Sequence, residues 1–344
     1  MNRRDIVYQA LNHRQTDPIP YHMDFTEQTR QKLVAAIGEA AVRDQFGSFM
    51  HQAHYWGWPT EMPQRPGHFR DDFGVIWNRT GADKDIGVVD SPQIPDIEER
   101  EYQFPLMDTA RLRREIERLI ETREDRFVTA GFGFSMFERA WSLMGMENAL
   151  MSMITSPGEL DALFEEITAF LLPLIDIVLE YDVDAVYFGD DWGQQRGLIM
   201  GPDHWRRFVK PHVAQLYARV KRGGKFVIQH SCGDCHEIFP DLIAMGLDCY
   251  QTFQPEIYDL AAIKGEYGKD LSFWGGVSTQ RALPMLSPRA LQQEIVRVVK
   301  LLREDGGLII APTHAVPHDV PVENILAMAE VFQQQDRFFS VSAE

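Results

Sequence analysis

Cysteine is scarce in this chain. Three cysteines in 344 residues, at 232, 235 and 249, are too few for a disulfide framework. Long hydrophobic runs are missing too: the most apolar stretch, residues 169–179, contains Pro173 and Asp176 and is too short to cross a bilayer. Positive charge is in deficit, with 34 Lys and Arg against 51 Asp and Glu, a formal charge of −17. That balance disfavours nucleic acid and anionic membrane surfaces, both of which require clustered cations. It also disfavours a polyanionic substrate, unless a local basic pocket lies within the acidic average. No Gly-x-Gly-x-x-Gly opens a helix and no Walker sequence occurs, so phosphate-cradling loops are absent. The opening Met1-Asn-Arg-Arg-Asp5 runs straight into an amphipathic helix without an apolar signal core, which gives a cytoplasmic expectation.

What is present is ordinary globular material, 44% apolar and 25% charged, long enough for one large α/β domain. From residue 127 onward, short apolar runs alternate with helix-period stretches. Strands are expected at 127–131, 184–188, 226–229, 247–250, 271–274 and 308–311. Pro202 lies near the start of a helix running toward Arg222 and stopped by Gly223-Gly224. Ser287-Pro288 forms an N-cap and first-turn pair. A first strand fits residues 19–23, between prolines, and a second fits 73–77 or 86–89. The eight together predict a single-domain (β/α)8 barrel spanning residues 1–344, with insertions around the first strands.

Active sites of that fold lie at the C-terminal ends of the strands. There the chain carries His22 and Asp24, Asp190-Asp191-Trp192, His230-Ser-Cys232, the segment 251–256, and His314. His230 and Cys232 are two apart at a strand end, so their side chains share a face. Imidazole and thiolate suit zinc, with His314 as the third candidate ligand and an open fourth position. The competing reading makes His314 a general acid or hydrogen-bond donor with no metal. Adjacent carboxylates on extended chain point apart, so one of Asp190 and Asp191 is expected to face the pocket, orienting or proton-balancing substrate; the other reading is a turn cap. Asp24, Trp192, Gln194, Gln254, Glu256 and Trp274 are candidate substrate contacts, with Gln254 and Glu256 equally readable as a cap for the next helix. Cys235, His236 and Cys249 read as structural. His22-Met-Asp24 is only half of the H-x-H pair expected of a barrel hydrolase. Asp234-Cys-His236 lacks the glycine of a corrinoid-carrier motif.

Several strings together resemble the uroporphyrinogen decarboxylase superfamily. They are Asp17-Pro-Ile-Pro20, Asp190-Asp-Trp-Gly-Gln-Gln195, His230-Ser-Cys-Gly233, Phe273-Trp-Gly-Gly276 and Ala311-Pro-Thr-His314, in family order across nearly the whole chain. The resemblance implies a distorted barrel, often dimeric. The true decarboxylases carry an arginine-rich segment after the first strand, but here that place reads Tyr21-His-Met-Asp-Phe-Thr-Glu-Gln-Thr-Arg30. The corrinoid-dependent methyltransferase arm holds zinc by an H-x-C pair and a distant cysteine. His230-Ser-Cys232 matches that pair, and His314 stands at the cysteine's place. The resemblance therefore implies a zinc-dependent methyltransferase working with a small-molecule methyl donor or acceptor and a separate corrinoid (cobalamin) protein, possibly as a homodimer. The alternative is a metal-free decarboxylase of a carboxylated substrate.

Overall fold

In the computed structural model, which describes residues 1–81 and 86–339, seven strands lie side by side in chain order. They are β1 (Met50–Tyr55), β2 (Phe127–Phe132), β3 (Ala185–Gly189), β4 (Phe226–His230), β5 (Cys249–Phe253), β6 (Ser272–Val277) and β7 (Leu308–Pro312). Every pairing is parallel. β2, β5, β6 and β7 are buried at every residue, which is why they read in the sequence as apolar runs.

Residues 19–23 do not become the expected first strand. They make one parallel bridge, Tyr21 to Ile310, followed by a second from Phe25 to Val316. The Tyr21 carbonyl also accepts the Phe49 amide at 2.9 Å, just ahead of β1. The segment thus touches both edges of the curled sheet without forming a ladder, and Pro18 and Pro20 explain why: neither has an amide to donate. The fold is a curled seven-stranded parallel sheet wrapped by helices, in place of eight regular strands.

The second strand is also corrected. Residues 76–78 and 88–89 belong to a separate four-stranded antiparallel sheet with 60–61 and 68–70, and the parallel strand is Met50–Tyr55 instead. This strand carries Gln52 and His54 and has little apolar content, because part of it faces a polar cavity. Arg139 ties the small sheet to the domain. It is 2% exposed, donates to Asp71 at 3.3 Å and to the Trp56 carbonyl at 2.9 Å, and lies over the Phe73 ring. A buried pair of this kind costs several kcal/mol to break from one side, roughly 3–5.

The helix Arg3–Leu11 packs at the start of the strands through Ile6, Val7, Ala10 and Leu11. Its Tyr8 packs edge-on against Phe127 and Phe226. The fully buried Asp184 takes the Tyr8 hydroxyl at 2.9 Å and the Val128 amide at 2.8 Å, and pairs with Arg4 at 2.6 Å. With the helix there, the C-terminal ends are left for the site. Pro173, expected to interrupt the apolar stretch, sits inside a continuous helix, Pro157–Leu179. No helix among the described residues is long and apolar enough to cross a membrane. The helix after β3 contains a π-helical turn, Trp205–Val209, shortly before Pro211, which has no amide to give a regular ladder.

Candidate metal centre

β4 ends at His230, and Ser231-Cys232-Gly233 turns away from it. This turn is held by crossing the loop after β3. The Gly193 amide donates to the Cys232 carbonyl at 3.2 Å, and the Asp234 amide donates to the Gln194 carbonyl at 2.8 Å. The two backbones approach so closely that a Cβ on Gly233 would lie 2.1 Å from the Gly193 carbonyl carbon, and Gly233 has φ +78°. Only glycine fits such a crossing. It sets Cys232 beside His230, with Sγ 3.7 Å from Nε2.

His314 arrives from the far side, two residues beyond β7. One ligand atom from each of His230, Cys232 and His314 lies within 4.8 Å of the others. Zinc ligands stand about 2.0–2.3 Å from the ion, so tetrahedral partners are roughly 3.3–3.8 Å apart. The His230–Cys232 spacing already matches, and His314 needs only a small inward move. The donor set, two imidazoles and a thiol, fits zinc.

Asp191 stands against this group. Its Oδ1 accepts the Cys232 amide at 2.7 Å and lies 3.3 Å from His230 Nε2. Desolvation would raise this carboxyl, but the hydrogen bond and charge of His230 prevail and bring it down to about 2. Desolvation likewise opposes charge on His230, yet Tyr187, Asp191 and Cys232 raise the imidazole well above its ordinary value. The Cys232 thiol is raised by desolvation, partly offset by His230. His314 is lowered by desolvation and by the His230 charge. On its other ring nitrogen, His230 meets the Gln251 carbonyl oxygen, which also accepts the Tyr187 hydroxyl at 3.1 Å. Because an amide oxygen only accepts, Nδ1 carries the proton and Nε2 is the nitrogen turned toward Cys232 and Asp191.

The other predicted residues divide by position. Asp190 is fully buried. Its carboxylate accepts the backbone amides of Met136, Phe137 and Glu138 at 3.3, 3.0 and 2.7 Å, plus the Trp192 indole. It therefore anchors the start of the helix Phe137–Met144 and has no face toward the cavity. Trp192 is buried with it, packed on Trp205, and does not line the site. Gln194 is exposed on a short hairpin. The Gln254 carbonyl oxygen accepts the Gly233 amide at 3.3 Å, which supports the Cys232 turn from beneath. Glu256 is bonded through one oxygen to Ser278, and its other oxygen is buried without a partner. Trp274 and Asp24 do reach the cavity. Trp274 stands edge-on to His22 and Tyr187, and desolvation raises the Asp24 carboxyl. Cys235 and Cys249 are buried thiols in the core.

The sequence reading placed Gln251 only within the strand-end segment 251–256 and overlooked three other residues here. Tyr187 lies inside a strand run, where a polar side chain gives no local signal of its direction. His54 lies on the strand that was not recognised; its ring packs 4.8 Å from Tyr187, and Gly131 leaves it space, since a Cβ there would sit 2.1 Å from His54 Nδ1. Glu138 is raised well above its usual range by burial and by the Asp191 and Asp190 carboxylates. An alternating Met50-His-Gln-Ala-His-Tyr55 was the available clue to β1.

A cavity of about 100 Å³ is lined by His22, Tyr187, His230, Gln251, Trp274 and His314 among others. A methyltransferase from Methanosarcina mazei has the same fold, with TM-score 0.74 at 16% identity, covering 97% of this chain and 99% of that one. A uroporphyrinogen decarboxylase of Coxiella burnetii is 21% identical over 203 residues, which is 55% of this chain and 50% of that protein. The chain thus spans about half the length of the curated relatives it matches. Residues 84–335 match the family described as Uroporphyrinogen decarboxylase (URO-D), and the chain belongs to that family.

Proposed function

We propose that this protein is a zinc-dependent methyltransferase that moves a methyl group between a small-molecule substrate and a corrinoid held by a separate protein. The observation that carries the reading is the convergence of His230, Cys232 and His314 within 4.8 Å beside a cavity that His230 and His314 line, with no fourth ligand in the group among the described residues. Three protein ligands and an open position are the catalytic form of a zinc site. Zinc bound there would hold a substrate thiol or hydroxyl as its anion, the form that accepts or releases a methyl group. Gln251 holds a proton on Nδ1, so that Nε2, once it gives up its own proton, would be the nitrogen offered to the metal. Asp191 fixes the Cys232 backbone and orients His230, so both donors present one geometry. Residues 20–25 then serve as the eighth stave of the family barrel.

The second reading, a metal-free carboxy-lyase, draws on the named activity of the Coxiella relative. Metal analysis separates the two. Protein purified without chelator and offered zinc should hold close to one equivalent. His230→Ala and Cys232→Ala should lose it, and Cys235→Ser should keep it. With a surrogate methyl donor and cobalamin, His314→Cys should retain partial activity with zinc, and His314→Ala should lose both. A wild-type protein that binds no zinc hands the site to the carboxy-lyase reading. An active His314→Ala with zinc undiminished would remove His314 from the ligand set.

A further inference from the structure

A second and larger cavity, about 690 Å³, shares His22, Asp24, Gln52 and His54 with the one at the metal centre. It runs from those residues to a wall of Arg43, Arg118 and Arg126. It opens where the sheet is weakest, since Tyr21 and Phe49 share a backbone hydrogen bond but residues 22–24 form no ladder with β1. Its volume is in the range of small-ligand sites.

Arg126 is the unusual member. It is 9% exposed and makes no ion pair with a carboxylate among the described residues. Nε donates to the Arg123 carbonyl at 3.2 Å and one terminal nitrogen to the Thr122 carbonyl at 2.9 Å. The other terminal nitrogen has no protein partner. A buried guanidinium normally sits against a carboxylate or phosphate, because burial without one is costly. The acids nearby do not fill that role. Glu124 is paired with Arg3 at 2.8 Å, and Asp44 accepts the Phe46 amide. Arg43 and Arg118 are exposed, and neither side chain makes a hydrogen bond or ion pair with another described residue. At the junction with the inner cavity, Gln52 Nε2 is buried and has no acceptor. The cavity lining carries three guanidinium groups and three carboxylates, those of Asp24, Asp44 and Glu124, but the guanidinium groups gather on one wall and the Gln52 amide donor stands at the junction.

We propose that this cavity binds the anionic end of the substrate, a carboxylate or phosphate held by Arg126 with Arg43 and Arg118, while the rest of the molecule passes Gln52 and His54 toward His230. That the bound molecule is the substrate rests on the metal-centre reading; that the cavity binds an anion does not.

Isothermal titration at low ionic strength with inorganic phosphate, succinate and uncharged succinamide tests it, on zinc-loaded and chelator-treated protein alike. At least one of the two anions should bind with one-to-one stoichiometry and succinamide should not. Phosphate alone would mark a phosphorylated substrate, and succinate alone a carboxylated one. The double variant Arg43→Gln/Arg118→Gln and the single Arg126→Met should each weaken binding roughly tenfold or more, as expected for charge-assisted contacts. The exposed pair decides the matter if Arg126→Met does not fold. Wild type that binds neither anion, or an Arg43→Gln/Arg118→Gln protein of unchanged affinity, overturns the proposal. Anion binding that persists in a protein unable to take up zinc would sustain this site and sink the methyltransferase reading.

Discussion

Gln251→Leu isolates what holds His230 in its working tautomer. In the wild type one amide oxygen accepts both the His230 Nδ1 proton and the Tyr187 hydroxyl. Leucine has nearly the same size and no acceptor. His230 is then free to place its proton on Nε2, the nitrogen that faces Cys232, and the ligand is lost in that fraction of molecules. Removing the outer hydrogen-bond partner of a ligand histidine costs roughly 10–100-fold in metal affinity, or about 1.4–2.8 kcal/mol. Separately, two donors in the cavity wall lose their acceptor, each costing about 1–3 kcal/mol where water cannot replace it. Zinc affinity is measured by competition with a chromophoric chelator, and stability of the zinc-free protein by urea unfolding. Both should fall for Gln251→Leu. Gln251→Glu keeps the acceptor and should bind zinc at least as tightly as wild type. Tyr187→Phe should change little, because Gln251 still accepts from His230. A folded Gln251→Leu protein whose zinc affinity stays within about twofold of wild type would refute the tautomer argument.

Three further outcomes follow from the same geometry. His230 and Cys232 are both raised, so each carries its proton at neutral pH, whereas His314 is lowered and carries none. Zinc binding should therefore release about two protons and tighten as pH rises through neutrality, as read by calorimetry in buffers of different ionisation heat; release of less than about one would contradict it. Asp190→Ala strands three backbone amides and an indole in the interior and should cost roughly 3–5 kcal/mol in urea unfolding, while the partly exposed Asp191→Asn should leave stability within about 1 kcal/mol and lower zinc affinity instead. If both behave alike, the division of labour between the two acids is wrong. Gly233→Ala forces a Cβ into the Gly193 backbone and should lower both melting temperature and zinc affinity; a crystal structure with Cys232 undisplaced would count against the crossing as its support.

Much of the sheet could be read from the sequence because its strands are buried on both faces. Residues 127–131, 184–188, 226–229, 271–274 and 308–311 are mostly apolar runs, and each overlaps an observed strand. The second strand escaped because the rule that finds buried strands fails where a strand lines a polar cavity. Met50–Tyr55 contains two histidines and a glutamine, and Gln52 and His54 line the cavity. Residues 19–23 misled in the opposite sense: apolar and bounded by prolines, they were expected to pair fully, yet the missing proline amides leave only a bridge. At the site, the H-x-C spacing at a strand end pointed to His230 and Cys232 together, although the strand stops at His230 and the glycine crossing at 193 and 233 is what sets Cys232 beside it, and the position of β7 brought His314 to them. The distinction between Asp190 and Asp191 could not be read, since adjacent residues on extended chain are symmetric until the helix at Phe137 supplies donors for one of them. Trp192 failed as a lining residue for the same reason, its indole being committed to Asp190.

The ligand set also imposes an order on the folding of the chain. His230 and Cys232 belong to one turn, and what holds it comes from the neighbouring strands β3 and β5, all within residues 185–254. His314 reaches them only after β7 has paired with β6 and its Ile310 has bridged back to Tyr21, a contact that joins opposite ends of the chain. Contacts of that separation are the slow ones, because the loop they close must be ordered before any contact rewards it. Two ligands are thus available before the third, and a metal captured early would remain exchangeable until the seam between residues 21 and 310 is made.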